Sequence, residues 1–280
     1  MYNNFVHVFL LVYKERLNVS YRRFVEIADE LNLQRMLCIK RMPHFTTLQK
    51  ALQRLPKKIF EQMVIACHSL LDMKGMLSAI DGTGFSNTNP SHYYIKRIDD
   101  VSVKNYTKTV LIADLDTKLV LNMKSTSDYQ AETLSFIPLV KELKHALSCV
   151  LADKGYDARK NRAYCDAENI EHHIPHRQFP KSRPQEFGTP SRRALEAKRI
   201  DGSKYKRRVL VESVISAIKR PFGSWVCARK PLNQQKEVTI KILAYNLEVM
   251  GHAIKIWLFI FKNTILHRLL DRKVFIPKKL

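Results

Sequence analysis

The chain has 280 residues, with 48 Lys and Arg against 26 Asp and Glu, a net charge of +22 and a sequence pI near 9.9. That length holds one large domain or two unequal ones with real cores, and so large an excess of cations points to a polyanionic partner, nucleic acid first. A disulfide scaffold is excluded: Cys38, Cys67, Cys149, Cys165 and Cys227 are odd in number, scattered and without a CxxC pair, so they read as reduced, mostly buried thiols of a cytosolic protein.

In chain order, the opening run FVHVFLLVY lacks the basic flank and cleavage site of a signal peptide. Residues 1 to about 72 read as helical, with no internal glycine. Ser20 is placed to cap a helix through Arg22–Leu31, Asn32 gives a turn, and Leu33–Arg41 resumes before Pro43. Thr46 and Gln49 fit a capping box for a helix to Leu55, and Pro56 opens another through Leu71. Helix, short turn and helix with Arg22, Arg23, Arg35, Lys40 and Arg41 suits a DNA-reading module, and equally a dimerising helical bundle.

From about Gly75 the period changes. Met76–Ile80 is a short apolar strand ending at Asp81, and Thr109–Ala113 and Leu119–Met123 form a hairpin around the turn Asp114–Lys118. A helix over Ala131–His145 follows, then Leu147–Ala152, a continuous apolar run typical of a strand buried on both faces and ending at Asp153. Arg159–Glu168 reads as helix and His172–Pro175 as a last short strand. The segment RQFPKSRPQEFGTPSRR, rich in Pro and Arg, is an expected basic insertion able to close over a bound backbone. Residues 154–230 carry 19 Lys and Arg and 8 acids, which is half the net charge. Cys165, His172, His173 and His176 match no zinc-site spacing. A long amphipathic helix over about 234–265 and the basic tail RKVFIPKKL close the chain. Its apolar core Ile256–Phe261, bracketed by Lys255 and Lys262, is too short to span a bilayer.

Strand, hairpin, helix, strand, helix, strand, insertion and helix are the order of a ribonuclease-H-like domain. The expected architecture is α/β: a mixed sheet flanked by helices, a small all-helical N-terminal domain at 1–72, the sheet domain at 73–233, and a C-terminal helix with its basic tail at 234–280.

Asp81 and Asp153 each follow an apolar strand, and each precedes a glycine within two residues. Residues past strand C-termini line the functional edge of such sheets, and glycines there let a ligand approach. In YKRRVLVESVISAIKR, Tyr205, Arg208, Glu212 and Lys219 fall within an arc of roughly 60° at ~100° per helical residue, opposite Leu210, Val211, Val214, Ala217 and Ile218. Three converging carboxylates need a counter-charge. Two divalent cations supply it, and all-oxygen ligands favour magnesium or manganese. Each acid also has a structural reading: Asp81 as a turn residue, Asp153 as a helix cap, Glu212 as the partner of Arg208 on a surface helix. Asp99, Asp100, Asp114, Asp116 and Asp157 compete. Asp114 and Asp116 are set aside as hairpin-turn residues, and Asp157 is a candidate supporting partner or helix cap.

These residues resemble a known family. Asp81, Asp153 and Glu212 look like the triad of DDE-type transposases of bacterial and archaeal insertion sequences, and Tyr205, Arg208, Glu212 and Lys219 match its signature Y-x2-R-x3-E-x6-K. The motifs IDGTG and ADKGYD are similar to strand-end motifs of the insertion sequence five family in particular. The resemblance implies a metal-dependent enzyme, with two Mg2+ or Mn2+ ions held by the three acids, that cleaves DNA and transfers strands at the element's ends. It further implies end phosphates positioned by Arg208 and Lys219, Tyr205 against the terminal nucleotide, and double-stranded DNA (terminal inverted repeats and target) as partner. A homodimeric active complex, a nucleoid-associated place in the cytoplasm and no membrane partner complete the expectation. Two other readings stay open: a nuclease or resolvase of the same fold without strand transfer, and an inactive DNA-binding relic.

Overall fold

The computed structural model describes residues 2–87, 106–127, 130–177 and 200–271, with side chains described as far as residue 252. Asp99, Asp100, the basic stretch 178–193 and the tail from 272 lie outside the described residues.

Five helices open the chain: α1 (Asn4–Leu17), α2 (Tyr21–Glu30), α3 (Leu33–Met36), α4 (Phe45–Arg54) and α5 (Lys57–Leu70). Ser20 caps α2 as expected, its hydroxyl accepting from the Arg23 amide at 3.3 Å. The helix expected over Leu33–Arg41 stops at Met36, because Cys38 takes a left-handed backbone (φ 52). The capping box at Thr46 is absent: α4 starts two residues earlier, with His44 at its N-cap in place of Thr46. Val6, Leu10, Phe24, Ala28, Leu33 and Leu48 form a local core, while Val64 and Cys67 of α5 join the main one. Arg22, Arg23, Arg35, Lys40 and Arg41 are all exposed.

The sheet has five strands: β1 (Met76–Ser86), β2 (Tyr106–Asp114), β3 (Val120–Thr126), β4 (Leu147–Ala152) and β5 (Glu171–His173), ordered β3-β2-β1-β4-β5. β1 pairs antiparallel with β2 and parallel with β4; β2–β3 is antiparallel and β4–β5 parallel. This is the mixed sheet of the ribonuclease-H-like arrangement. α6 (Thr133–Lys141) packs on β2, β3 and α7 (Arg159–Ala167). The hairpin turn is closed by Asp114, buried, whose carboxylate accepts from the Thr117 amide and hydroxyl at 2.7 Å each.

The signature stretch is not one helix. It is α8 (Gly202–Lys206), a 3₁₀ turn Arg207–Val209, and α9 (Leu210–Phe222). A tighter turn rotates successive residues further than an α-helix does, and this one includes Arg208 and separates Tyr205 from Glu212. α9 buries Val211, Val214, Ile218 and Phe222. Gly223 (φ 80) ends it in a conformation reserved for glycine.

α10 (Pro231–Asp271) is longer than expected, and from Val238 to Asn246 every residue is buried, so the amphipathic reading fails there. This stretch meets α1, α5 and β3. Its buried charges satisfy chain ends: Lys236 donates to the carbonyls of Leu52 and Gln53 (2.8 and 2.9 Å), and Lys241 to those of Phe222 and Trp225 (2.5 and 2.8 Å). The Glu237 carboxylate accepts from the amides of Cys227 and Ala228 at 2.8 and 2.9 Å. Among the described residues no helix is long and apolar enough to cross a membrane.

Candidate active site

Sheet register decides where the first two acids stand. β1 and β4 pair only as far as Ile80 opposite Ala152, and Asp81 and Asp153 are the next residue on each strand. The sequence predicts that β1 stops at Ile80; instead it runs on to Ser86 alongside β2. The reason is α9, which packs on this extension. Ser86 donates to the Ser224 carbonyl at 2.9 Å and accepts from the Val226 amide at 2.8 Å, just past the end of α9. Thirteen helical residues rise about 20 Å, close to the roughly 17 Å from Asp81 to Ser86 in a strand, so helix and strand extension match in length.

Asp81 is half-buried and accepts from the Gly82 amide at 2.8 Å. Burial pushes its carboxyl above the ordinary value, the Gly82 bond and Arg208 pull it back, and the neighbouring charges of Asp153 and Glu132 push it up again. Asp153 caps the 3₁₀ turn Lys154–Tyr156, accepting from the Gly155 amide at 2.6 Å. The expected cap and the expected site position thus coincide in one residue. A Cβ on Gly155 would lie 2.6 Å from the Asp153 carboxylate, and one on Gly82 would lie 2.5 Å from that of Glu132. A side chain at either glycine would therefore force a neighbouring acid's carboxylate to shift.

Glu132 is the residue that sequence reasoning missed. It precedes the first turn of α6 and accepts from the Tyr156 hydroxyl at 3.2 Å and from Lys108 at 3.1 Å. With Gly82, Thr83, Gly84, Tyr106 and Lys108 it lines a pocket of about 410 Å³ beside Asp81. Its only sequence signal is a lone acid before an apolar helix, which looks like a capping residue.

Glu212 stands in the first turn of α9, about half exposed, and accepts from Arg208 Nη2 at 2.9 Å. The other terminal nitrogen of Arg208 lies 3.9 Å from Asp81. Arg208 thus stands between the sheet acid and the helix acid. Lys219 sits two turns further along α9 with its ammonium 5.3 Å from the Phe85 ring centroid, and burial lowers its pKa. Tyr205, on α8, is half-buried, and its phenol acts electrostatically on Arg208. Of the competing acids, Asp116 pairs with Arg207 at 2.5 Å, and Asp157 ties Arg162 to the Arg177 amide instead of capping α7.

Among the described residues, the one group of metal-ligating atoms all within 4.8 Å of one another is Cys149, Glu171 and His173. The three expected acids stand further apart than that. The Cys–Glu–His group is already saturated as it is. The Asp201 amide donates to His173 Nδ1 at 3.1 Å, so the ring proton is on Nε2, which faces Glu171 at 3.0 Å. Burial, with the Glu171 charge behind it, pushes the Cys149 thiol up to about 12. To ligate a metal, Cys149 would have to give up its thiol proton and His173 its Nε2 proton with the Glu171 contact. Asp81, Asp153, Glu212 and Glu132 offer a different donor set. All are oxygens, the charges of Asp153 and Glu132 adding to the burial that raises Asp81, and of a chemistry that suits a hard divalent cation.

The profile of the family described as "Transposase DDE domain" matches residues 73–247. The chain belongs to this family. The match begins just before β1 and ends within α10, so it takes in the whole sheet, Asp81, Asp153, Glu132 and the signature stretch. Divalent metal ions are the general cofactors of DDE transposases, and the oxygen donor set agrees with that. No curated protein matches the sequence. Among solved structures, the piggyBac transposase in a synaptic complex with hairpin DNA, determined by cryo-electron microscopy, is similar at 12% identity with a TM-score of 0.44. The similarity covers 90% of this chain and 66% of the piggyBac chain, so this transposase-family chain spans about two thirds of that protein's length.

Proposed function

We propose that this DDE-family protein is the transposase of an insertion sequence, of the insertion sequence five type, that cleaves DNA at the element's ends and joins those ends to target DNA. The observation that carries the reading is the meeting of Asp81 and Asp153 at the ends of adjacent parallel strands, with Arg208 linking Asp81 to Glu212 inside the family-matched region.

Asp81, Asp153 and Glu212 would hold the divalent ions, magnesium or manganese and two in number. When bound, these supply Lewis-acid stabilisation of charge on the attacking and leaving oxygens. The chain's own part is to bind, orient and separate charges. In the first step water attacks the phosphodiester, the P–O3′ bond breaks, and the departing oxygen takes a proton to become a 3′-hydroxyl. In the second, that hydroxyl attacks a target phosphodiester and displaces its 3′ oxygen, so one P–O bond forms as one breaks. Arg208 would exchange its carboxylate partners for a phosphate, which its planar fork suits. Lys219, with no salt bridge among the described residues, is a point charge for a second phosphate along α9. Tyr205 would contact the terminal nucleotide. The exposed cations of α2–α4 would carry double-stranded DNA, the protein acting as a homodimer at the nucleoid.

The test is cleavage and joining of a plasmid carrying this protein's gene with its flanking DNA, in magnesium. Cleaved ends joined to a second plasmid support the reading. Cleavage without joined product would make the protein a nuclease, and tight binding without either a relic.

A further inference from the structure

Two basic side chains outside every motif fasten the elements that carry Asp153 and Glu212. Arg177 stands where the described chain ends before the basic stretch. Its amide donates to Asp157 at 2.7 Å, its Nε to the Lys154 carbonyl at 2.8 Å, and its Nη2 to the Gly155 carbonyl. Lys154 and Gly155 directly follow Asp153, and the Gly155 amide is the hydrogen-bond donor to the Asp153 carboxylate. Arg177 therefore holds, from behind, the peptide that fixes the acid. Asp157 in turn pairs with Arg162, so the clamp rests on α7.

Lys204 stands where the chain has returned. It donates to both oxygens of Glu171 on β5 at 2.8 Å each. Glu171 also faces His173 Nε2, while the Asp201 amide donates to His173 Nδ1. Asp201 itself caps α8, accepting from the amides of Ser203 and Lys204 at 2.8 and 3.2 Å. Four residues later Arg208 begins the contacts to Asp81 and Glu212. Because β5 pairs with β4, and β4 with β1, the Lys204 clamp ties the start of the signature segment to the same sheet that sets Asp81 and Asp153.

We propose that Arg177 and Lys204 are positioning residues of the transposition site: Arg177 sets Asp153 through the 154–155 peptide, and Lys204, through Glu171 and His173, sets the approach of Glu212 to the sheet acids. This rests on the proposed function. Groups that orient metal-holding side chains change metal affinity or activity by roughly 10–100-fold when removed. A residue that only stabilises the fold changes melting temperature and leaves the metal requirement of the folded fraction unchanged.

The experiment measures Mg2+-dependent nicking of the gene-bearing plasmid for wild type, Arg177→Ala, Lys204→Ala, Lys204→Arg, Glu171→Gln and Asp81→Ala. Rate, the magnesium concentration for half-maximal rate, DNA affinity and melting temperature are each recorded. The expected result is a roughly 10–100-fold slower rate with a raised magnesium requirement for Arg177→Ala, Lys204→Ala and Glu171→Gln, at nearly unchanged DNA affinity. Lys204→Arg, which keeps the pair with Glu171, should recover most of the rate. Lys204→Ala combined with Glu171→Gln should be no worse than either alone, since one contact is lost in each case. Wild-type rate and magnesium requirement in folded Arg177→Ala and Lys204→Ala proteins would overturn the proposal. So would a loss confined to DNA affinity, which would make these residues phosphate contacts. If a single-site variant does not fold, Lys204→Arg and Glu171→Gln still decide the Lys204 arm, and Arg177→Lys, which cannot fork to two carbonyls, decides the other. Normal nicking by Asp81→Ala would instead mark failure of the functional reading itself, whatever the clamps do.

Discussion

The sheet pair Asp81 and Asp153 and the helix acid Glu212 are held in opposite ways. The sheet acids are fixed by backbone register, half-buried, each hydrogen-bonded to a nearby glycine amide, and crowded by Glu132. Glu212 is half exposed and, among the described residues, is linked to Asp81 through Arg208. One half of the site is therefore built into the fold and bears the electrostatic cost. The other is docked against it by side chains, and its geometry depends on what Arg208 and the Lys204 clamp hold.

The largest expected effect is on the built-in half. Asp81→Ala or Asp153→Ala should lower cleavage and joining roughly a thousandfold or more, the scale of losing several kcal/mol of charge stabilisation. DNA affinity should survive, because the basic surface is untouched. End-labelled DNA cleavage with a parallel gel shift reads both; substantial cleavage by either variant removes that acid from the site.

On the docked half, the losses should be smaller and of two kinds. Arg208→Ala leaves Asp81 and Glu212 without their shared cation and removes a phosphate fork, so rate and end binding should fall together, by roughly 10–100-fold. Lys219→Ala removes a charge that makes no salt bridge among the described residues and a contact over Phe85 worth about 1 kcal/mol. Melting temperature should fall by no more than a few degrees while strand transfer slows, and Lys219→Arg should retain more activity than Lys219→Ala. Unimpaired turnover in folded Lys219→Ala protein would take α9 off the DNA-binding surface.

A smaller effect of opposite sign sharpens the contrast. Asp81's folded-state pKa is raised, first by burial, so it binds its proton more tightly folded than unfolded. Its contribution to stability is then present at low pH and lost as pH rises through the folded value. Without divalent metal at neutral pH, Asp81→Asn should melt a few degrees higher, corresponding to roughly 1 kcal/mol. That gain should shrink as pH falls into the carboxylate range. Glu212→Gln, exposed and paired with Arg208, should show no such gain. Calorimetry across pH in chelator measures it; a lower melting temperature for Asp81→Asn at neutral pH would contradict the strained-acid account.

The same division governs what could be read from the sequence. Leu147–Ala152 was legible to the residue because this strand is apolar and buried at every position but Ser148, and Asp153 followed from it. The end of β1 was not, because Gly82 to Ser86 carries no apolar alternation; that extension exists to meet α9 and β2, which are tertiary facts. The signature spacing found Arg208 and Glu212 together, but assumed an unbroken helix where a 3₁₀ turn intervenes. Glu132, Arg177 and the Glu171–His173–Lys204 group were invisible, since each acts through contacts distant in sequence between ordinary polar residues. The buried charges of α10 were hidden for the same reason: Lys236, Glu237 and Lys241 look like the polar face of an amphipathic helix until their carbonyl and amide partners are seen.

Manganese binding measured by electron paramagnetic resonance, with and without DNA, bears most directly on whether the two halves form one metal centre. Wild-type protein should bind manganese through the sheet acids alone and more tightly once DNA draws Arg208 away from Asp81 and Glu212. Asp81→Ala and Asp153→Ala should abolish binding in both conditions, and Glu212→Ala should remove only the gain that DNA brings. Manganese binding unchanged by Asp81→Ala, or unaffected by DNA in the wild type, would contradict a centre assembled from these three acids.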